Sequence, residues 1–295
     1  MIGRVVKLVP RMHYVQVGTV LYKCKAKGKM RLDRQKALVG DMVEIEQDPL
    51  EDDVAQIKAV CERKNSLRRP EIANIDKLII TFAMEMPAPN LELLDRLLIQ
   101  AEKRNVRPGI CFNKIDLDAK QVIENVKRIY SKTPYDLIFV SAEEPDEGTL
   151  ATLKSVLDPG VNVFAGPSGV GKSTIINLLN PEAKMETGEV SEKLKRGKHT
   201  TRHSELIYLG DEIFLCDTPG FTGYENEDVD PISLQTYMPD ILAFSDECKF
   251  RDCKHIGEPD CAVRDAVEEG RIAKERYHSY TVFLAEAIES KKKRY

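Results

Sequence analysis

The chain lacks any hydrophobic run long enough to cross a membrane. Charged residues make up 31% of the 295 positions, and no apolar stretch approaches the roughly 18 residues that a membrane helix needs. The opening segment, MIGRVVKLVPRMHYVQVG, also lacks the apolar centre of a secretory signal peptide. We therefore expect a soluble, cytoplasmic protein. Internal repeats and long low-complexity segments are absent too, and length alone predicts two or three domains.

Cysteine is sparse, and its number is odd. Seven cysteines in a long chain without a secretory signal argue against a disulfide framework and indicate reduced thiols. Four of them stand singly in or beside apolar stretches and are predicted to fill the core: Cys24, Cys61, Cys111 and Cys216.

The other three cysteines form a cluster with a histidine near the C-terminus. Its pattern is Cys248-x₄-Cys253-x-His255-x₅-Cys261. Three thiolates and one imidazole complete a tetrahedral shell with no open position, so the pattern predicts one structural zinc ion. Free buried thiols are the alternative, because the first spacing is longer than the usual C-x₂-C.

Positive charge is concentrated at the start of the chain, although the formal net charge of the whole is −4. Residues 1–40 hold ten Lys or Arg and a single acid, Asp33. The same region reads as short strands separated by turns, which predicts an OB-fold β-barrel for residues 1–70. Such barrels commonly bind oligonucleotides, and the basic block favours RNA as the partner. A solvated charged face or a plain spacer domain is the alternative.

From about residue 71 the pattern changes to apolar runs that alternate with amphipathic segments. KLIITFA, RPGICFNK, DLIFVSA, VNVFAG and EIFLCDTPG read as strands, and helical patterns separate them. This alternation predicts an α/β domain with a parallel sheet for residues 71–225. Helical stretches then surround the Cys/His cluster and predict a mostly α-helical, zinc-binding domain for residues 226–295.

GPSGVGKST matches the phosphate-binding pattern G-x-x-x-x-G-K-[ST] in full. It follows the strand VNVFA and leads into the helical IINLL. Its glycines let backbone N–H groups surround phosphate oxygens, Lys172 adds a positive charge at the β- and γ-phosphates, and Ser173 offers its hydroxyl to Mg²⁺. The predicted phosphate-binding residues are Gly166, Pro167, Ser168, Gly169, Val170, Gly171, Lys172, Ser173 and Thr174.

DTPG stands at the end of the strand EIFLC. There Asp217 can hold the Mg²⁺ shell, and Gly220 can bring its N–H to a γ-phosphate. Phe221 follows where many small GTPases place a water-orienting Gln. A phenyl ring cannot hydrogen-bond water, so we expect slow basal hydrolysis.

The polar stretch RGKHTTRH lies between the phosphate loop and DTPG, where a switch loop belongs. Thr200 or Thr201 is predicted to complete the Mg²⁺ shell. His199 is the preferred candidate for positioning the attacking water. The alternative is that this histidine is merely exposed on a loop.

NKID is predicted to select the base. The Asp116 carboxylate can accept both hydrogens of the guanine N1/N2 edge, and adenine has no matching donor pair. Asn113 can bond the base and tie neighbouring loops, while the Lys114 stem can lie over the ring. NKID ends the strand GICF, at the sheet edge where α/β folds bind ligands. Ser141 and Ala142 end the next strand, from which a backbone N–H could reach guanine O6.

The base-recognition motif precedes the phosphate loop, which reverses the order of a fold that begins with that loop. We interpret this order as a circularly permuted GTPase domain in which residues 148–160 join the old ends. The chain therefore runs from DTPG directly into the C-terminal module. A loop that senses γ-phosphate would pull on that module.

The permuted motifs, the barrel ahead of them and the Cys₃His cluster behind them together resemble the ribosome small subunit-dependent GTPase A (RsgA) family over the whole chain. The resemblance implies GTP hydrolysis stimulated by the small ribosomal subunit during its late maturation. It also implies that the barrel and the zinc module touch the ribosome and its ribosomal RNA. The implied ligands are GTP or GDP, Mg²⁺ and one Zn²⁺, and RGKHTT resembles the family's switch loop, which favours His199 over His203. We expect a monomer that does not contact membranes.

Two other functional classes stay open at this point. A nucleic-acid-binding regulator would use GTP only to change its affinity, and the missing Gln is compatible with it. The third class, a P-loop kinase acting on a small molecule, does not agree with the presence of NKID, and the sequence shows no recognisable acceptor pocket for it. The GTPase interpretation accounts for every motif.

Overall fold

The protein is described by a computed structural model that covers residues 1–26, 36–48, 51–68, 71–116, 120–181, 205–217 and 229–293. Within these ranges, none of the helices is both long and apolar enough to span a lipid bilayer.

The first five strands close into a barrel in the order β1-β2-β3-β5-β4. β3 and β5 pair in parallel, and the other neighbours pair antiparallel. Alternate residues point inward and pack into one apolar cluster that includes Val5, Val15, Cys24 and Ile57. This is the connectivity of an OB-fold, so the predicted barrel is confirmed. The strands are β1 (Ile2–Val9), β2 (Met12–Val17), β3 (Val20–Ala26), β4 (Met42–Asp48) and β5 (Glu51–Val60).

A short ribbon of β6 (Ser66–Arg68) and β7 (Glu71–Ala73) leads to a six-stranded sheet. The sheet has the order β10-β9-β8-β11-β13-β12, and every pair is parallel except β12 with β13. Its middle strands are nearly continuous apolar runs because both faces are covered. The strands are β8 (Ile75–Ala83), β9 (Arg107–Asn113), β10 (Asp136–Phe139), β11 (Gly160–Ala165), β12 (Leu206–Gly210) and β13 (Ile213–Asp217).

Two helices lie on each face of this sheet. α1 (Leu91–Lys103) and α2 (Lys120–Tyr130) contribute to one core cluster, and α3 (Thr149–Ser155) and α4 (Lys172–Leu179) contribute to the other. Neighbouring residues of β8 face opposite clusters, as the alternation of a strand requires. Cys111 and Cys216 are buried in these clusters, as predicted for core fillers.

The C-terminal region is helical. After a 3₁₀ turn at Leu234–Tyr237 it contains α5 (Pro239–Ser245), α6 (Ala262–Glu268) and the long α7 (Lys274–Lys293). Its apolar core also takes in Ile99 of α1. The three-part fold class is therefore confirmed, while the domain boundaries at residues 70/71 and 225/226 remain predictions.

The barrel contacts the sheet through its first strand. Lys7 forms a 2.8 Å ion pair with Glu205, directly before β12, and the two residues share a backbone bridge. The Arg4 guanidinium lies 5.2 Å from the centre of the Phe214 ring in β13. The β12–β13 hairpin thus packs against the barrel by charge and by ring contact.

Candidate nucleotide and metal sites

The predicted nucleotide motifs converge at one edge of the sheet. β9, β10, β11 and β13 are mutually parallel, so their carboxyl ends share this edge. NKID begins at the last residue of β9, the SA pair follows β10, and the phosphate loop follows β11. A crevice beyond the carboxyl ends of the strands is where open α/β sheets bind their ligands.

Two glycines in the phosphate loop are required by geometry. Gly166 has φ of 139°, and a Cβ there would lie 2.0 Å from the carbonyl oxygen of Thr81. Gly171 has φ of 92°, and its Cβ would lie 2.2 Å from Nδ2 of Asn113. No other residue type fits either position, because the backbone is left-handed and the space is filled. The loop therefore has the glycine-dependent form that suits a phosphate group.

Lys172 starts α4 and is buried, with 7% of its surface exposed. Its ammonium donates to the carbonyl oxygens of Gly166 at 2.9 Å and Pro167 at 2.7 Å. The loop thus holds a positive charge at a helix N-terminus, where backbone N–H groups also favour an anion. Ser173 and Thr174 follow in the first turn of the same helix.

Asn113 ties the guanine motif to the phosphate loop. Its Nδ2 donates to the carbonyl of Val170 at 2.9 Å, and its Oδ1 accepts from the backbone N–H of Ala142 at 3.0 Å. The side chain is 2% exposed, so both bonds form away from water. One amide therefore fixes three loops, which were predicted to bind base and phosphate, relative to one another.

Lys114 and Asp116, two of the residues predicted to contact the base, are held by their own neighbours. Lys114 adopts φ of 63°, and its ammonium donates to the carbonyl oxygen of Met86 at 2.9 Å. The Ser141 hydroxyl donates to the carboxylate of Asp116 and accepts from the N–H of Glu144. The bond from Ser141 orients Asp116, an exposed carboxylate at the sheet edge.

Sequence reasoning missed the part played by Met86. It belongs to the turn MPAPN between β8 and α1, and this turn carries no nucleotide-binding pattern of its own. The available signal was its position, because it follows the carboxyl end of β8 beside NKID.

Several predicted residues lie outside the described part of the chain. They are His199, Thr200, Thr201 and Gly220, together with the side chain of Asp217. The backbone of Asp217 ends β13 opposite Phe164, which is two residues before the phosphate loop. The predicted roles of all these residues remain predictions.

The Cys/His cluster closes as its spacing predicted. The ligand atoms of Cys248, Cys253, His255 and Cys261 all lie within 4.8 Å of one another. Nδ1 of His255 is 3.5 Å from Sγ of Cys248 and 3.4 Å from Sγ of Cys261, and those two sulfurs are 3.9 Å apart. Tetrahedral zinc with Zn–S of about 2.3 Å and Zn–N of about 2.0 Å places a sulfur and a nitrogen about 3.5 Å apart and two sulfurs about 3.8 Å apart. The residues therefore fit a four-coordinate metal ion.

Neighbouring groups and burial determine the protonation of the cluster residues. Nε2 of His255 lies 2.7 Å from Oε1 of Gln235, which fixes the proton on Nε2 and leaves Nδ1 to bind. Burial lowers the pKa of His255, so the ring is neutral. Burial also raises the pKa of the Cys253 thiol to about 12, and metal binding must therefore displace its proton. Sequence reasoning did not identify Gln235, because the contact joins residues 20 positions apart.

Two family models match this chain. The RsgA N-terminal domain matches residues 2–54, and the RsgA GTPase matches residues 60–227. Among curated relatives, the small ribosomal subunit biogenesis GTPase RsgA of Clostridium novyi (strain NT) is 43% identical over 287 residues, with 97% of each chain covered. The protein of that name from Caldanaerobacter subterraneus subsp. tengcongensis is 41% identical over 293 residues, covering 99% of this chain and 98% of its own.

Two solved structures share the whole fold. The crystal structure of YloQ, described as a circularly permuted GTPase, superposes with a TM-score of 0.81 at 31% identity, covering 98% of this chain and 95% of that one. YjeQ from Thermotoga maritima gives a TM-score of 0.82 at 33% identity, covering 97% and 98%.

The fold and the two sites define a circularly permuted P-loop GTPase with a barrel before it and a helical module with a Cys/His cluster after it. The family models and the relatives make the assignment more specific: the chain belongs to the RsgA GTPase family. It is therefore a GTP-hydrolysing enzyme, and its family implies a guanine nucleotide and Mg²⁺.

Proposed function

We propose that this protein hydrolyses GTP as an assembly factor of the small ribosomal subunit. Full-length relatives that carry the name small ribosomal subunit biogenesis GTPase support the proposal. The observation that carries the GTP-binding part of the proposal is the side chain of Asn113, which hydrogen-bonds both the phosphate loop and the SA segment. That amide joins the base-reading and phosphate-binding motifs of a GTPase into one site.

In this proposal, Asp116 accepts the N1 and N2 hydrogens of guanine, and the Lys114 stem covers the ring. The N–H of Ala142 stays bonded to Asn113, whose amide holds the loops around the base. Residues 166–174 surround the phosphates. Mg²⁺ neutralises charge on the β- and γ-phosphates, and Ser173 and Asp217 are the residues that would hold it. These assignments rest on the motif and on the positions of Asn113, Asp116 and Ser141 at the strand ends.

For hydrolysis, we assign Lys172 and the N–H of Gly220 to the γ-phosphate, and Thr200 or Thr201 to the Mg²⁺ shell. His199 positions the attacking water. Since Phe221 cannot do so, the protein hydrolyses GTP slowly until the ribosomal subunit completes the site.

The Cys₃His cluster holds one structural zinc ion in this proposal. The four donors leave no open position, and the three distances among Cys248, His255 and Cys261 are close to those of tetrahedral Zn²⁺. The ion cross-links the loop before α6 and stabilises the C-terminal module.

The basic barrel binds ribosomal RNA in this proposal, and the protein acts as a cytoplasmic monomer. The ten Lys or Arg of residues 1–40 and the OB connectivity support the RNA contact. A second candidate is an RNA-binding regulator that GTP merely switches, which Phe221 favours because turnover would be incidental.

Steady-state hydrolysis of GTP and ATP, with and without purified small ribosomal subunits at two salt concentrations, tests the proposal. We expect slow basal turnover of GTP only, raised roughly tenfold or more by subunits and reduced by salt, because docking on RNA weakens with salt. A rate that subunits do not change would contradict the assembly role, and the regulator would then be favoured. Preference for ATP would contradict the guanine site.

A further inference from the structure

A buried arginine joins the GTPase domain to the C-terminal module. Arg276, in the first turn of α7, is 1% exposed and contacts two carboxylates that are themselves buried. Its Nη1 donates to Asp95 at 2.6 Å, and its Nε and Nη2 donate to the two oxygens of Asp240 at 2.8 and 2.7 Å. Burial alone would lower the pKa of Arg276, but the charges of Asp95 and Asp240 raise it well above its ordinary value.

The two carboxylates belong to different parts of the molecule. Asp240 lies in α5, within the same C-terminal module as Arg276, whereas Asp95 lies in α1 of the GTPase domain. Tyr130 of α2 also donates to Asp95, at 2.7 Å. Two contacts of this network therefore cross between domains: the Asp95–Arg276 pair and a hydrogen bond from Ser279 of α7 to Asp95.

On the GTPase side, α1 leads back to the guanine motif. Asp95 lies in the second turn of α1, whose start is capped by Asn90: the Asn90 side chain accepts from the N–H of Leu93 at 2.9 Å. The residues just before this cap form the turn whose Met86 carbonyl holds the ammonium of Lys114. The position of α1 therefore sets where Lys114 is anchored.

On the other side, α7 leads to the metal cluster. Tyr277 and Tyr280 follow Arg276 on the same helix, and their hydroxyls donate to the carbonyl oxygens of His255 and Lys254. His255 is one of the four residues of the cluster. The first two turns of α7 therefore contact the metal-binding loop and α1 at the same time.

From these contacts we propose that Asp95 and Arg276 are a positioning pair for guanine recognition, and that they couple metal occupancy of the Cys/His cluster to nucleotide affinity. Without this pair, α1 loses the buried, charge-assisted hydrogen bond that holds it against α7, and the helix can shift. Movement of α1 displaces the Met86 carbonyl and frees the Lys114 stem from its place over the base. Loss of the metal acts in the same direction, because it loosens the loop that α7 contacts. This inference rests on the proposed guanine site.

A matched pair of substitutions tests it in the full-length, metal-loaded protein. Asp95→Asn and Asp240→Asn each remove one of the two carboxylates that contact Arg276. Only Asp95→Asn weakens the contact between α7 and α1. We expect both to lower Tm. Asp95→Asn raises the Kd for GDP in calorimetry by roughly fivefold or more, and Asp240→Asn changes it little. Asp95→Asn likewise raises KM for GTP while kcat is unchanged, because the phosphate loop is intact.

The same GDP titration, repeated after a chelator has removed the metal, tests whether the cluster is coupled to nucleotide binding. Metal removal weakens GDP binding by wild type, and it has no further effect on Asp95→Asn. If Asp95→Asn and Asp240→Asn bound GDP with equal affinity, whether that affinity were high or low, the inference would be overturned. If wild type bound ADP as tightly as GDP, the proposed guanine site itself would be wrong.

If Asp95→Asn does not fold, hydrogen exchange of the wild-type protein tests the coupling between the metal cluster and α1 instead. Metal removal then increases exchange of α1 amides, and GDP slows exchange in α7, since coupling between two sites is reciprocal. Exchange in α1 that ignores the metal would overturn the inference.

Discussion

The nucleotide site and the Cys/His cluster of this molecule depend on different kinds of chemical group. The phosphate loop of the nucleotide site relies on backbone: Gly166 and Gly171 allow close approach, and loop carbonyls hold Lys172. The metal cluster relies on four side chains whose main-chain segments come from one loop region. A site made of backbone fails when a side chain is added, whereas a site made of side chains fails when one is changed. The phosphate loop should therefore be most sensitive to an added side chain, and the metal cluster to a changed one, while the side chains that read the base resemble the cluster in this respect.

Cys253→Ser should have the largest effect. The change is nearly isosteric but removes one ligand, so the module loses most of the roughly 10 kcal/mol that a closed zinc site contributes to folding. Metal content by mass spectrometry and thermal unfolding measure it, and zinc should also leave more readily as pH falls, because protons compete for the thiolates. Cys61→Ser, outside the cluster, is the control. A Cys253→Ser protein that retained one zinc per chain would remove the ligand assignment.

Gly166→Ala should break the backbone-built site. The added Cβ meets the Thr81 carbonyl at 2.0 Å with φ at 139°, which costs about 3 kcal/mol or more. GDP binding should be lost while zinc content is unchanged. Gly169→Ala is the matched control, since its φ is also positive but nothing lies within 4 Å of the new Cβ. Equal GDP affinities of the two variants would show that space at Gly166 does not matter.

Asp116→Asn should change which base is bound and leave the fold intact. Loss of two hydrogen bonds to a charged acceptor costs about 2 to 3 kcal/mol, or roughly 30- to 150-fold in Kd for GDP. Xanthosine diphosphate should bind the variant better than it binds wild type, because its C2 carbonyl can accept from the new amide. Unchanged preference for guanine in a competition titration would move the base site elsewhere.

Ser141→Ala should give the smallest effect of the four. It removes the hydroxyl that orients Asp116 and costs about 1 kcal/mol of GDP affinity. Ser155→Ala, which removes a hydroxyl bonded only to the Thr152 carbonyl in α3, serves as the reference. If both variants bound GDP equally, orientation of Asp116 would not depend on Ser141.

Local pattern predicted most of the fold and the outline of both sites. The barrel, the parallel sheet and the helical module were predicted from periodicity and from turn residues. The family resemblance rested on the order of NKID and the phosphate loop together with the barrel before them and the Cys₃His cluster after them. These signals are readable because each motif needs particular residue types at fixed spacing. The four cluster residues were found for the same reason: one short segment supplies all of them.

The contacts between elements were not predictable in this way. Arg276 and Asp95 are 181 positions apart, and nothing near either residue marks it as half of a buried pair. Met86 acts through its carbonyl oxygen, which every residue type has. Gln235 is recognisable only once His255 is beside it. Pairing of this kind depends on tertiary packing, which a single sequence does not encode locally.

The separation of Asp95 and Arg276 has a consequence for how the protein is made. A ribosome that adds about 5 to 20 residues per second synthesises Asp95 roughly 10 to 40 s before its buried partner. During that interval α1 carries a carboxylate with no counter-charge to accompany it into the core. The strands that carry NKID and the SA pair are synthesised early, whereas α7, which holds Arg276, follows much later. Time, as well as distance, separates the two halves of this contact.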